Sequence, residues 1–226
     1  MWGRFDRVYL VSGDCCHYRR QGVMQELERV GVARHPGFTM LRGQFRSSHD
    51  AHERALLDFA HGKCGGTCLI LEDDIRFLKD LREVERIMRE APPADIVDFD
   101  PFMYMNGPDM AEAKKIPFIR WTHGICGTSC YSVSKIAALC LSLSYSRHRD
   151  QPPDSALFLG HQDLRTAIST RHACVQLTFL ECDNARKYGV DSVHKAYGLE
   201  PVDYALYAVP EGYGYGRVID RTGAVI

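Results

Sequence analysis

The sequence predicts an α/β fold in which helices cover both faces of a mostly parallel sheet. Short apolar runs alternate with helical periodicities in a β-α-β-α-β order through the first half of the chain. Apolar residues make up 45% and charged residues 25% of the 226 residues, which is ordinary for a globular protein and enough for one well-buried core. We therefore expect a single domain over residues 1–226, with 181–226 as a less regular C-terminal segment.

The predicted strands are short apolar or β-branched runs that end in turn residues. In chain order they are residues 5–11, 38–41, 68–71, 95–99, 126–133 and 175–180.

The predicted helices show apolar residues at helical spacing, as Val23, Leu27 and Val30 do. They cover about 19–30 and 49–59, a segment after the cap Asp80, and a segment after the cap Ser134. We interpret residues 101–124, which are rich in proline and apolar side chains but lack a period, as a long active-site loop.

Charge and hydropathy exclude some classes of function. The net charge is -1 and no long basic stretch is present, so nucleic-acid binding is not indicated. The N-terminus lacks an apolar signal core, and no apolar run approaches the roughly 20 residues of a membrane helix. We expect a cytoplasmic protein without a transmembrane segment.

The most informative motif is Glu72-Asp73-Asp74, which directly follows the strand Leu69-Ile70-Leu71. Ligands of open α/β sheets bind at the carboxyl ends of strands, and three adjacent carboxylates repel one another unless a cation neutralises them. Oxygen ligands suit Mg²⁺ or Mn²⁺, which commonly hold substrate phosphates. The alternative is that these acidic residues only form a turn.

Nine cysteines allow a second metal hypothesis. Cys64 and Cys68, with Cys126 and Cys130, have the loose spacing of a four-thiolate zinc site. Buried cysteines that act as small apolar residues explain the same pattern.

Five motifs occur in an order that resembles glycosyltransferase family 25, which includes lipooligosaccharide and collagen galactosyltransferases. They are the first strand followed by Arg19-Arg20, the helix segment Ala51-His52, the run Leu69–Asp74, the segment Gly127–Ser134 and the step Pro152-Pro153-Asp154. The resemblance covers roughly residues 5–160. Two departures from the family pattern are Ser12-Gly13-Asp14, in place of Asn-Leu-Asp, and Ala51, in place of a serine.

The resemblance implies a GT-A fold with a Rossmann-like sheet, a nucleotide-sugar donor such as a UDP-sugar, and a divalent cation, Mn²⁺ or Mg²⁺. Glu72 and Asp74 form an acid-x-acid pair and are the expected metal ligands, with His194 as a third by analogy with GT-A enzymes. The expected donor-binding residues are Ser12, Arg19, Arg20, His52 and Asp73.

Three of the donor-binding residues, Arg19, Arg20 and His52, also have a structural alternative. Asp73 is expected at the ribose, and the two arginines could pair with the diphosphate or lie on a solvated helix start. His52 could contact a phosphate, orient an acidic residue or be a satisfied core histidine.

A glycosyl transfer also needs a base for the acceptor hydroxyl. Asp154 is the first candidate because it lies in the Pro-x-Asp step, and its alternative role is a helix N-cap; Asp163 is the second candidate. The resemblance thus implies a metal-dependent hexosyltransferase that inverts the anomeric centre. The alternative is a non-catalytic module that binds a nucleotide sugar or a glycan. The acceptor stays unidentified.

Overall fold

The computed structural model describes residues 1–13, 17–43, 48–100, 115–121, 127–180, 202–214 and 217–226. Its strands are β1 (Arg7–Ser12), β2 (Phe38–Arg42), β3 (Thr67–Glu72), β4 (Ile75–Phe77), β5 (Ile96–Asp98), β6 (Phe118–Trp121), β7 (Cys130–Ser134), β8 (Thr166–Ser169) and β9 (Cys174–Gln176). Its α-helices are α1 (His17–Arg29), α2 (His49–His61), α3 (Leu81–Glu90), α4 (Lys135–Arg147) and α5 (Pro153–Gly160). Single 3₁₀ turns form at Trp2–Arg4, Val32–Arg34 and Tyr204–Leu206.

The central sheet has seven strands in the order β2-β1-β3-β7-β5-β8-β6. Strands β1, β2, β3, β5 and β8 run in one direction, and β6 and β7 run in the other. Strands β4 and β9 form a separate antiparallel pair. The predicted α/β class with a mostly parallel sheet is confirmed.

Two apolar cores lie on opposite faces of this sheet, because side chains alternate along each buried strand. In β3, Leu69 and Leu71 belong to the core that contains apolar residues of α1 and α3. Cys68 and Ile70 belong to the other core, which α2, α4 and α5 cover. Helices on both faces are thus confirmed as well.

The sequence did not predict three of the short strands, β4, β6 and β8. Each has three or four residues, which is too short to show a period of two. The prediction of a continuous loop over 101–124 is wrong at Phe118–Trp121, which is β6; residues 101–114 and 122–126 lie outside the described part.

The four-thiolate zinc hypothesis is wrong for its described members. Cys68 and Cys130 lie in opposite cores, so they cannot ligate the same ion. Cys126 lies outside the described residues. The thiols of Cys68 and Cys130 act as small buried apolar groups, and the half-buried Cys64 packs against the core that contains Cys68.

The C-terminal region joins the α1/α3 core where it is described. Tyr204, Tyr207 and Tyr213 are buried in that core, and Tyr207 forms a β-bridge with Leu78. Residues 181–201 lie outside the described part, so the extent of the irregular segment stays a prediction. Across the described ranges, no helix combines the length and the apolar character needed to cross a membrane.

Candidate functional site

The acidic motif lies where two neighbouring parallel strands end. Val11 of β1 is in register with Glu72, the last residue of β3, so Ser12 and Asp73 follow at the same edge of the sheet. The chain turns at Asp73 and Asp74 before β4 begins. Because of this turn, side chains stop alternating between the two faces of the sheet after Glu72. Asp73 and Asp74 can therefore contact the same cationic group.

Helix α1 supplies the cations that hold Asp73 and Asp74. Arg19 Nη2 forms an ion pair with Asp73 Oδ1 and lies 2.8 Å from Asp74 Oδ2. Arg20 Nη1 donates to Ser12 Oγ at 3.1 Å, and this hydroxyl donates to Asp73 Oδ2. The two predicted donor-binding arginines therefore act, within this structure, on the acidic turn.

Glu72 accepts hydrogen bonds from side chains of α2, of its cap, and of the segment that precedes β7. Its Oε1 accepts from His52 Nε2 at 3.0 Å, from Thr128 Oγ1 at 3.0 Å and from Ser48 Oγ at 3.4 Å. His52 Nδ1 lies 2.9 Å from the Tyr131 hydroxyl. A carboxylate only accepts hydrogen bonds, so the contact with Glu72 assigns a proton to His52 Nε2.

His52 is fully buried, with 0% of its surface exposed. A side chain without exposed surface cannot contact a donor phosphate directly. The structure therefore favours the alternative role for His52, in which it orients the acidic residue Glu72.

Thr128 connects the acidic turn to Asp154. Its hydroxyl lies 3.0 Å from Glu72 Oε1 and 3.0 Å from Asp154 Oδ1. A hydroxyl has one proton, so Thr128 donates to one of the two carboxylates at a time and can alternate between them. Asp154, in the first turn of α5, keeps contact with solvent.

The environment shifts the pKa values within the triplet in opposite directions. Burial opposes the ionisation of Glu72, but hydrogen bonds from His52 and Thr128 outweigh it and lower the pKa of Glu72. Burial raises the pKa of Asp74 from 3.8 to about 8, although Arg19 partly offsets this effect. Burial also raises the pKa of Asp73, again against the attraction of Arg19.

Asp154 has the pKa expected of a base that works near neutral pH. The pKa of Asp154 is raised from 3.8 to about 6. The main cause is reduced solvation within the protein, and the negative charge of Glu72 is the second. The hydrogen bond from Thr128 acts in the opposite direction. Such a carboxylate is ionised at pH 7 and still basic enough to accept a proton.

A second acidic pair lies at the end of β5. Asp98 is 1% exposed, and its Oδ2 has no hydrogen-bond partner among the described residues. Burial raises its pKa well above the ordinary range, and the charges of Asp100 and Asp154 add to this. His172 Nδ1 lies 2.8 Å from Asp100 Oδ1. Because the charge of Asp154 raises the pKa of Asp98, these two carboxylates are close enough to interact electrostatically.

The turn offers oxygen atoms of the kind that a divalent cation binds, but the described residues alone do not form a complete metal site. No group of three or more His, Cys, Asp or Glu side chains is placed to hold a metal within the described ranges. However, Asp74 Oδ1 is buried and has no partner among those residues, and Gln176 Nε2 lies 3.1 Å from Asp74 Oδ2 and 3.4 Å from Glu72 Oε2. One or two carboxylates suffice for Mg²⁺ when substrate phosphates supply other oxygens.

The hydrogen bonds that link this cluster do not include Asp163, which lies exposed in the turn between α5 and β8. His194 lies outside the described residues.

Sequence reasoning missed the roles of two neighbours, Thr128 and Gln176. Thr128 could have been found, because it is the threonine of the Gly-Thr segment that carries the family resemblance. Gln176 had no local signal, since only the pairing of β9 with β4 brings it to the site.

Neither a scan against protein-family models nor a search of curated proteins finds a match to this sequence. Among solved structures, the chain is similar to a glycosyltransferase involved in the glycosylation of the major capsid of PBCV-1. The identity is 11%, the TM-score is 0.48, and the match covers 80% of this chain and 96% of that chain.

It is also similar to A197 from STIV, with 16% identity, a TM-score of 0.41, and coverage of 74% of this chain and 83% of that chain. At these values the likeness assigns neither a family nor an activity. Membership of glycosyltransferase family 25 stays a prediction from the motifs.

Proposed function

We propose that this protein is a glycosyltransferase that moves a hexose from a nucleoside-diphosphate sugar, such as a UDP-sugar, to a hydroxyl acceptor. One observation carries the proposal: residues from five separate motifs form a single hydrogen-bonded cluster. The links run from Arg19 to Asp74, from His52 to Glu72, and from Glu72 through Thr128 to Asp154. Unrelated turn residues have no reason to converge in this way.

The donor side of the reaction belongs to the acidic turn. Asp74 and Glu72 would hold a divalent cation, and Asp74 Oδ1 has no partner among the described residues. Such a cation, when bound, would act as a Lewis acid and stabilise the charge of the leaving diphosphate. Arg19 lies against the same carboxylates and keeps the turn in place. Its positive charge also favours a diphosphate beside it.

The acceptor side belongs to Asp154. As a base it removes the proton of the acceptor hydroxyl while the oxygen attacks the anomeric carbon and the bond to the diphosphate breaks. A single displacement of this kind inverts the anomeric centre. Asp98 would accept or donate a hydrogen bond on this side, since its buried Oδ2 has no partner among the described residues and its charge interacts with that of Asp154.

Donor hydrolysis and transfer with a panel of UDP- and GDP-sugars, with and without Mn²⁺, test the proposal. We expect turnover of at least one donor that Asp154→Asn abolishes while nucleotide binding remains. Turnover that is equal in wild type, Asp154→Asn and Asp74→Asn would contradict the assignment.

A non-catalytic module that binds a nucleotide sugar is the second candidate. The observation that favours it is the ion pairing of Asp73 and Asp74 with Arg19, because these carboxylates already have an internal cation. Calorimetry separates the two functions: binding of a donor without hydrolysis or transfer to any acceptor supports the module.

A further inference from the structure

A histidine and an aspartate that the proposed mechanism does not use form a dyad beyond the carboxyl end of β5. His172 Nδ1 lies 2.8 Å from Asp100 Oδ1, and the two side chains are 21% and 5% exposed. A carboxylate only accepts hydrogen bonds, so the proton of this contact belongs to His172 Nδ1. The other ring nitrogen, Nε2, has no hydrogen-bond partner among the described residues. The neutral ring therefore presents the lone pair of Nε2 as a free acceptor.

The neighbouring Asp98 explains why Asp100 is the ionised member of this acidic pair. Asp98 Oδ1 accepts from the Asp100 amide at 3.0 Å, which links the two residues directly. Burial raises the pKa of Asp98 well above its ordinary range, and the charge of Asp100 adds to this shift. Asp98 therefore favours its neutral form, which leaves Asp100 as the carboxylate that faces His172.

Backbone contacts on both sides hold the His172 segment in place. The Ala173 amide donates to the Phe99 carbonyl at 3.0 Å, and the Ala173 carbonyl accepts from the Leu78 amide at 3.1 Å. The Tyr207 hydroxyl donates to the His172 carbonyl at 3.4 Å. A partly exposed imidazole with a fixed backbone and a buried carboxylate behind it is pre-organised for a ligand.

The dyad lies at the same edge of the sheet as the acidic turn. Strands β3, β5 and β8 run in one direction, so their carboxyl ends lie at the edge where open α/β sheets bind ligands. Asp100 follows β5 and His172 follows β8, whereas Glu72 ends β3. The order β3-β7-β5-β8 puts two strand spacings, about 10 Å, between the ends of β3 and β5. Asp98 also feels the charge of Asp154, so the dyad borders the acceptor side of the site.

The chemistry of the dyad suits a hydroxyl group. An imidazole nitrogen whose other nitrogen is held by a carboxylate accepts a hydrogen bond from an O–H group. An anion is disfavoured because Asp100 is acidic, and Arg171, the adjacent basic residue, pairs with Glu83 instead. A metal is disfavoured too, since no group of three ligating side chains forms in the described part of the chain.

We propose that His172, oriented by Asp100, binds a hydroxyl group of a sugar acceptor. A ligand that extends from Asp154 to His172 needs more than one hydroxyl group, and a sugar carries several. The inference rests on the proposed function, because the bound sugar is the acceptor of the transfer. His172 contacts the sugar, and Asp100 is a positioning residue that fixes the tautomer of the ring.

NMR of the full chain with ¹⁵N-labelled histidine tests the proposal without relying on turnover. At about pH 8.5, where histidine is ordinarily neutral, His172 should show the tautomer with its proton on Nδ1. Methyl glycosides of galactose, glucose and mannose are the probes, and we expect at least one of them to shift the Nε2 signal. His172→Gln identifies the signal by its disappearance.

His35 is the matched control, because it is also partly exposed but has partners at both ring nitrogens. Its Nδ1 accepts from the Gly37 amide at 3.0 Å, and its Nε2 donates to the Phe5 carbonyl at 2.9 Å. This pattern assigns the opposite tautomer to His35. The glycosides should leave its signals unchanged.

Two variants separate contact from positioning. His172→Gln should raise the KM of the responding glycoside about ten-fold in transfer, since one hydrogen bond is lost, and leave the KM of the donor unchanged. Asp100→Asn should move the ring proton of His172 toward Nε2, because an amide can donate to Nδ1, and the glycoside response should be lost with it. A purely structural role of Asp100 would not change the tautomer.

Two results would overturn the proposal. They are a His172 signal that no glycoside shifts, and an acceptor KM that is equal in His172→Gln and His35→Gln. Donor turnover that depends on Asp154, without a shift at His172, would remove the sugar contact and keep the transferase. A shift at His172 without turnover of any donor would keep the sugar contact and remove the transfer.

Discussion

Glu72 and Asp74 are two residues apart, yet the structure places them in opposite electrostatic environments. Glu72 ends a buried strand and receives hydrogen bonds from His52 and Thr128, so its pKa is lowered. Asp74 follows the turn, keeps one oxygen without a partner among the described residues, and has a pKa raised to about 8. The comparison separates a carboxylate that organises the site from one that is poised for a ligand.

The two carboxylates also face different partners. The Glu72 side leads through Thr128 to Asp154, whereas the Asp74 side leads to Arg19 and α1. Glu72 therefore contributes to both sides, as an expected cation ligand with Asp74 and as a neighbour of Asp154 through Thr128, whereas substitutions at Asp74 and at Asp154 are expected to separate the donor chemistry from the acceptor chemistry. The following four predictions test this division, from the largest expected effect to the smallest.

Asp154→Asn is expected to reduce transfer by about 10² to 10⁴-fold, because the amide cannot accept the acceptor proton. Donor affinity measured by calorimetry should change little. Asp163→Asn is the matched control, since Asp163 is an exposed aspartate of the turn that follows α5. Equal losses in the two variants would remove Asp154 from the role of base.

Glu72→Gln and Asp74→Asn are expected to change the free energy of unfolding in opposite directions. Glu72→Gln should lower it by about 1–3 kcal/mol, because buried charge-assisted hydrogen bonds are lost. Asp74→Asn should raise it, by roughly 2–5 kcal/mol at pH 8, because the folded state no longer has to bury a carboxylate there.

The sign for Asp74 follows from linkage. The pKa of Asp74 is higher in the folded protein than its value of 3.8, so its contribution to stability is present at low pH and is lost as the pH rises toward about 8. The advantage of Asp74→Asn in urea unfolding should therefore grow from pH 5 to pH 8. An advantage that is independent of pH would contradict the raised pKa.

Mn²⁺ is expected to bind tightly only together with a nucleoside diphosphate. The described carboxylates do not form a metal site by themselves, and phosphate oxygens would complete the coordination. Calorimetry should show about a ten-fold gain in UDP affinity with Mn²⁺, and Asp74→Asn should lose that gain. Stoichiometric Mn²⁺ binding without nucleotide would show that further ligands exist.

Thr128→Val is expected to move the acid limb of the pH–rate profile upward by less than about one unit. The hydrogen bond from Thr128 lowers the pKa of Asp154, so its removal raises that pKa above about 6, and transfer is lost at a higher pH. The shift distinguishes this role from simple loss of packing, which would lower the rate at every pH.

Much of the fold could be predicted from the sequence, because its signals are local. Apolar period and turn residues indicated β1, β2, β3 and β5, and Ser134 caps α4 as expected, its Oγ accepting from the Ala137 amide. The strands β4, β6 and β8 were not predictable, since their pairing depends on partners far along the chain. The site was predictable only as a set of separate motifs.

The sequence by itself determined that three carboxylates follow a buried strand and that Asp154 follows a Pro-Pro step. Only the tertiary structure decided which of them share a partner, because burial and hydrogen bonding depend on β7, β9 and α2. The tertiary structure also decided that Arg19 contacts the acidic turn, that Thr128 lies between two carboxylates, and that two leucines of α4 are exposed. A pKa or an exposed face is a property of neighbours in space, and local sequence does not specify them.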